Sequence, residues 1–366
     1  MKILALLVAL ILALVLAACG NAQPMGIPSA TNPGPSPTRT PLPPTPTPTF
    51  EPPAALQPIT MGNADKVQLL STMNIPGYSR GQISQCSLAF SPDGHSLVGA
   101  CGRNQVPVWD VQGGLVRHLL YENPRQIVAC AFSPDGATIV SGGFDKAITF
   151  WSSETGKEIG EPISLPSPIW DLGFSPDGQK LVSCSLTNDV RLWDVNHGEM
   201  IWSYKETRSY LSVSFSPSGK SIAYGGRWGN VGVLDVTTGK RLVELLELYS
   251  PIGDVNFSPS GKLLTAGTDN YTIHLWNTEN YQPVTIFKGH RGYVNGVSFS
   301  PDETLLVSGS HDKTIGIWDI TGQQLIKALN GHQDVVLRVA FSPDGTLIAS
   351  ISWDGTVRLW GVPEEQ

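Results

Sequence analysis

The sequence is short of charge, of cysteine and of every compact motif that would announce a catalytic or metal centre, and each shortage removes a class of function. Only 15% of the 366 residues are Asp, Glu, Lys or Arg, the formal net charge is -7, and no run of five like charges occurs. Nothing here attracts phosphate backbones or anionic lipid by bulk electrostatics, so nucleic acid is not expected as a partner. There is no Gly-x-x-x-x-Gly-Lys-Ser/Thr phosphate loop, no Cys-x-x-Cys, no His-Glu-x-x-His and no Asp-x-Asp-x-Asp-Gly loop. No metal site and no cofactor are therefore expected. No segment carries the sustained 3.6-residue apolar period of an amphipathic helix. Cysteine is scarce and odd in number, five in all, and Cys19 stands apart from Cys86, Cys101, Cys130 and Cys184.

Met1-Lys2 precedes an apolar run from Ile3 to Ala18, 16 residues long. That is shorter than the roughly 20 residues a spanning helix needs and suits the apolar region of a secretory leader. Leu16-Ala17-Ala18-Cys19 resembles the bacterial lipobox, in which the cysteine thiol receives a diacylglycerol and becomes the first residue after cleavage. The resemblance implies a signal peptide over 1–18, a lipidated Cys19, loss of Lys2 and a tether outside the cytoplasmic membrane, or on an outer membrane where the cell has one. A plain signal peptide with an unmodified cysteine and an uncleaved anchor are the alternatives. From Gly20 to Ala55 the chain holds twelve prolines in 36 residues. Such a stretch cannot bury a core and favours extended polyproline II, about 3.1 Å per residue, so 19–57 is expected to be a lipidated, disordered spacer of roughly 100 Å. A proline-rich ligand for a partner's groove, and glycosylated threonines, are other readings of the same composition.

Beyond the spacer the chain repeats itself. Phe90, Phe132, Phe174, Phe215, Phe257, Phe299 and Phe341 each open a Ser-Pro turn at steps of 42, 42, 41, 42, 42 and 42 residues. Nineteen residues after each stands Trp109, Trp151, Trp193, Leu234, Trp276, Trp318 or Trp360, and Gly289-His290 and Gly331-His332 open the last two units. The period, the Gly-His opening and closes such as Trp318-Asp319 resemble the WD-repeat family, whose units each supply four strands to one propeller blade. The expected fold is all-β, a seven-bladed propeller over 58–366, monomeric. Alternating β-branched residues mark the strands, and Pro-Asp-Gly sets the turns.

The last unit ends at Trp360, too close to Gln366 for a turn and an outer strand. Lys66 to Thr72, patterned like Gln324 to Leu329, is expected to pair beside Val357 to Trp360 and close the ring, removing an exposed sheet edge. His290, Ser308, Asp312 and Trp318 recur as His332, Ser350, Asp354 and Trp360. Ser, His and Asp together suggest nucleophilic catalysis. The resemblance instead assigns them to the family's buried hydrogen-bond tetrad, and duplication in adjacent units fits a structural device. Unit two keeps Ser141, Asp145 and Trp151 without the His, whereas unit four has Tyr224 and Trp228 at the Ser and Asp positions.

The resemblance implies a non-catalytic scaffold that binds protein or peptide on the face formed by turns between second and third strands. Those turns present Phe144, Arg227, His311 and Trp353, with Trp228, Tyr293 and Arg103 beside them, and aromatic and Arg side chains are what binding hot spots favour. A cleft between Trp353 and Phe144 is expected across blade one; side chains folded over neighbouring loops are the other possibility. Rival functions are an enzyme or ligand-sensing propeller holding a sugar or cell-wall fragment in the channel mouth, and an envelope-assembly lipoprotein. If Phe90 faces Leu97 across a hairpin, Cys86 faces Cys101, which permits either a disulfide or two buried thiols, while Cys130 and Cys184 read as small core residues.

Overall fold

The computed structural model describes residues 55–78, 85–101, 105–121, 125–206, 209–247 and 250–364. Cys19 and Arg103 fall outside them, as do the leader and most of the spacer.

Seven antiparallel sheets follow one another along the chain. Blade one is Ser87–Phe90, Ser96–Ala100, Gln105–Asp110 and Val116–Tyr121; blade six is Val294–Phe299, Leu305–Ser310, Ile315–Asp319 and Gln324–Leu329. The first strand of each blade neighbours the first strand of the next, and that of blade seven, Val336–Phe341, neighbours that of blade one. The sheets therefore stand around a central channel as a seven-bladed propeller.

Sheet pleat explains where the core lies. Side chains alternate between the two faces of a strand, and each blade turns both faces to its neighbours, so the apolar residues collect in seven layers between blades. Between blades one and two, for example, Val98, Val106 and Val108 meet Ile127, Ile139 and Trp151. The repeat tryptophans serve these layers; Trp318 is 1% exposed.

The Phe-Ser-Pro turns form a second closed ring. In the first, Ser91 Oγ donates to the Asp93 carboxylate, which accepts the His95 N–H at 3.0 Å. Six of the seven turns end on a Gly with φ between 68° and 75°, where a side chain would be strained. Each such Gly also abuts the proline of the preceding turn: a Cβ on Gly136 would stand 3.4 Å from Pro92, and one on Gly94 would stand 3.7 Å from Pro343. In blade six Glu303 takes the place at φ 59°, its N–H donating to Ser300 O at 3.0 Å and its carboxylate accepting the Ser260 N–H and hydroxyl of blade five. Gly219-Lys220-Ser221 closes one of these turns, where Ser221 N bonds Ser216 Oγ, and is no phosphate cradle.

The ring closes through the N-terminal segment. Gln68–Asn74 pairs antiparallel with Thr356–Pro363, Leu69 opposite Trp360 and Met73 opposite Val357, with a register shift between Leu69 and Ser71. The same shift falls beside the repeat Trp in blade six, between Ile317 and Trp318, so the exchanged strand reproduces an ordinary outermost strand. The spacer is shorter than its composition implied. Leu56–Gln57 pairs with Pro363 and Val362, and Glu364 N bonds Ala55 O at 2.9 Å, so residues 55–57, expected in the spacer, belong to the folded unit. Ala55, Leu56 and Gln57 keep the N–H groups that ladder pairing needs, whereas every proline of the tract before them lacks one.

Candidate interaction face

The tetrads lie within single blades. His290 Nδ1 is 2.8 Å from Asp312 Oδ2 and Nε2 is 2.7 Å from Ser308 Oγ, which accepts the Trp318 indole N–H at 2.7 Å. In blade seven His332, Asp354, Ser350 and Trp360 repeat the arrangement with all three distances at 2.8 Å. Burial alone would raise the Asp354 carboxyl, but hydrogen bonds from His332, Thr356 and the Gln333 N–H outweigh it and hold the group well below the usual carboxylate range. Burial lowers His332, keeping it neutral, so its Nδ1–H donates to Asp354 and its Nε2 accepts the Ser350 hydroxyl. That is the bonding order of a nucleophilic triad, yet Ser308 and Ser350 are 0% exposed and each is already bonded to an indole. A nucleophile needs access to its substrate, and these two hydroxyls have none.

Elsewhere the tetrad thins. Blades two and three keep the indole-to-serine bond, Trp151 to Ser141 at 2.8 Å and Trp193 to Ser183 at 2.9 Å. In blade one Gly99 replaces the serine and the Trp109 N–H finds no partner among the described residues. In blade two Asp145 accepts a long bond from Ala147 N, 3.4 Å, and burial raises its carboxyl.

Turns between second and third strands emerge at the end of the ring opposite the Phe-Ser-Pro turns. They are aligned by one recurring bond, the first turn residue donating its N–H to a carbonyl just ahead of the blade's first strand: Phe144 to Gln126, Arg227 to Ser209, His311 to Tyr293 and Trp353 to Val335. Across blades five, six and seven the side chains on this face touch in series. Tyr271 stacks on Tyr293 with ring centroids 5.7 Å apart, Tyr293 lies 4.7 Å from His311, and His311 meets Trp353 edge-on at 5.6 Å. Tyr271 and Tyr293 are 44% and 41% exposed, and Trp228 on blade four is 57% exposed, with Arg227 exposed beside it. The charge of Asp269 holds the Tyr293 phenol above its usual range.

Phe144 and Trp353 do not share a contact. Phe144 is half-buried edge-on against Trp170 of the next blade, 6.1 Å between centroids. Trp353 is half-buried too, its backbone carbonyl accepting the Tyr78 hydroxyl that follows the closing strand. Each leans on its own neighbour, so the described residues give two separate aromatic groups; the blade-one turn that a cleft between them would cross, residues 102–104, lies outside the described residues. Tyr271 and Trp170 escaped sequence reasoning. Tyr271 sits two residues beyond the aligned turn position, Asp269, at a φ of 71°, and an aromatic residue within that turn was the available signal.

The channel, a cavity of about 480 Å³, holds Asp171, Asp254 and Arg338. All three occupy the position three residues before the repeat Phe. Asp254 accepts Ser212 Oγ at 3.0 Å and Val297 N at 3.1 Å, Asp171 accepts Val213 N at 3.0 Å, and Arg338 donates to Gly253 O at 3.1 Å and to Asn295 O at 2.5 Å. These bonds tie the first strands of blades three to seven together, Arg338 reaching past blade six to blade five. Burial pushes the Asp171 carboxyl up to about 6, with Arg338 pulling it back and Asp254 pushing it further.

Cys86 and Cys101 are joined as a disulfide with Cα atoms 4.6 Å apart, in the layer between blades seven and one. Cys130 and Cys184 are buried outside it.

The family model described as IFT122 first beta-propeller matches residues 84–285, and the model described as WD domain, G-beta repeat matches residues 281–319 and 323–361. Serine-threonine kinase receptor-associated protein of Gallus gallus is 31% identical over 80 residues, covering 22% of this chain and 23% of that protein. The chain thus spans under a quarter of that relative's length.

Proposed function

We propose, from the premise that this chain belongs to the WD-repeat β-propeller family, that it is a non-catalytic scaffold binding protein partners through the face that carries Tyr271, Tyr293, His311 and Trp353. Propellers of this family bind proteins, and the relative's name describes association with a kinase receptor. The run of four touching rings over three blades carries the reading. Aromatic rings left in water forgo about 1.5 to 3 kcal/mol each that burial would return, and a partner that covers them recovers it. Changing Tyr271, Tyr293 and Trp228 together to Ala should abolish recovery of cross-linked partners by affinity purification and leave the melting temperature unmoved, because all three are exposed. Partners retained at wild-type yield would sink the assignment.

The scaffold works outside the cytoplasmic membrane, tethered by acyl chains on Cys19 and held off by the proline-rich spacer. The leader-like run, the lipobox pattern and a disulfide, which persists in oxidising compartments, support this. Cys19→Ser should move the protein from the membrane fraction to the soluble one; a variant that stays wholly membrane-bound in high salt would refute the lipid anchor.

A further inference from the structure

A groove of about 840 Å³ opens on the other face of the ring, between blades two and three. It exists because the outermost strand of blade two is broken. In blade six that strand pairs with its neighbour at five successive positions. In blade two, Glu158 bridges Trp151 and Ile159 N bonds Phe150 O at 2.8 Å, and ladder pairing resumes only at Ile163–Ser164. Gly160, at φ 69°, and Pro162, which has no N–H to donate, carry the chain off the sheet between those points. Ile159 is left 45% exposed on the lip, with Glu161 exposed beside it.

The groove is apolar below and acidic at its edge. Phe150, Ile163, Phe174 and Val195 line the floor, while Asp135, Glu161 and Asp177 stand around it. Among the described residues that line it there is no Lys or Arg. Lys180, outside the lining, lies 3.8 Å from Asp177 and offsets one charge. Hydrogen bonds from Ser133 and Ser175 lower the Asp135 and Asp177 carboxyls, so both are ionised at neutral pH.

We propose that this groove docks a short extended segment of a partner protein, apolar side chains on the floor and Lys or Arg side chains against the acidic edge. The protein then holds two partners on opposite faces, a consequence that rests on the aromatic-face reading, whereas the groove itself does not.

The test uses the full chain and two fluorescein-labelled peptides, Arg-Leu-Phe-Arg-Leu-Arg and Glu-Leu-Phe-Glu-Leu-Glu. The basic peptide should bind saturably, one per protein, at least tenfold tighter than the acidic one, and weaken with added salt as exposed charges are screened. Ile159→Ser with Glu161→Lys should weaken it a further tenfold or more without moving the melting temperature, and Glu161→Gln alone should do so by a smaller factor. The triple aromatic variant should bind the peptide as the parent does. Absence of saturable binding, equal binding of both peptides, or affinity unchanged in the Ile159/Glu161 variant would overturn the proposal, as would loss of binding in the aromatic variant. Partner recovery reads the aromatic face and peptide binding reads the groove, so each can fail alone.

Discussion

In blade seven Trp360, Ser350, His332 and Asp354 form an unbroken line of hydrogen bonds, whereas in blade four Leu234 and Tyr224 occupy the first two of those positions and the line does not exist. The space is filled all the same. In blade six a Cβ on Gly316 would stand 2.6 Å from the Trp318 indole nitrogen; in blade four a Cβ on Gly232 would stand 2.4 Å from the Tyr224 hydroxyl oxygen. One large ring covers the same glycine in both, reached from the third strand in blade six and from the second in blade four. Tyr224 is further braced by Tyr210, 5.2 Å away edge-on, and Tyr204 at 5.8 Å. The blades thus conserve volume and not polarity, in line with cores that accept hydrophobic exchange when total volume is kept. In blades four and six the tyrosine and the tryptophan are two solutions to one packing requirement.

The largest effects should follow from removing either ring. Trp360→Ala and Tyr224→Ala should each destabilise by about 3 to 5 kcal/mol in urea unfolding, the range for large aromatics deleted from a core. A cost below about 1 kcal/mol for Tyr224→Ala would mean that the phenol does not substitute for the indole.

Acid should separate the blades next. Asp312 and Asp354 titrate in the folded protein well below the unfolded value of about 3.9, so their contribution is present above about pH 4 and is lost as pH falls through the folded values. His332 is lowered by burial, so the unfolded chain takes up its proton first, near pH 6.5, and stability declines from there downward. Both terms have the same sign and both lie in blades six and seven. Melting temperatures from pH 7 to 3 should fall less steeply in an Asp312→Asn, Asp354→Asn, His332→Gln variant than in the parent, and parallel curves would show that the tetrads are not the acid-sensitive part.

What could be read in advance divides along the same line. The seven Phe-Ser-Pro turns were legible because turn chemistry is local: Pro fixes φ, Asp bonds the backbone, and Gly supplies the left-handed residue. The cysteine pair was legible because an antiparallel register that sets Phe90 opposite Leu97 and Ser87 opposite Ala100 continues to Cys86 and Cys101. The aromatic groups were legible only to the level of the face. Position within a turn fixes the end of the ring at which a side chain emerges, but the neighbour it leans on depends on loops outside the repeat, Trp170 for Phe144 and Tyr78 for Trp353. The channel charges sit at a fixed place in the period, three residues before Phe, where most units carry small residues. Their exception was visible, although the bonds between blades that explain it were not. Blade two's broken outer strand has no signature beyond Gly160 and Pro162.

The smallest effect concerns the polar edge of blade four. Beside its Tyr224, Tyr204 on the outermost strand of blade three bonds Glu206, and Arg241 of blade four pairs with Glu206 at 2.6 Å and Glu244 at 2.8 Å. Burial, with Glu206 adding to it, holds the Tyr204 phenol above its usual range, so it stays protonated and donates. The cluster is partly exposed, Arg241 by 38%, and ion pairs in such settings contribute about 0 to 1 kcal/mol. Tyr204→Phe keeps the ring against Tyr224 and removes only the hydroxyl, leaving Glu206 its arginine and water as partners. The cost should be under about 1 kcal/mol in urea unfolding, with no change in the acid profile. A loss of 3 kcal/mol or more would show that blade four depends on a buried polar chain after all, assembled from tyrosine and arginine instead of tryptophan, serine, histidine and aspartate, and the contrast with blade seven would then be one of residue identity rather than of kind.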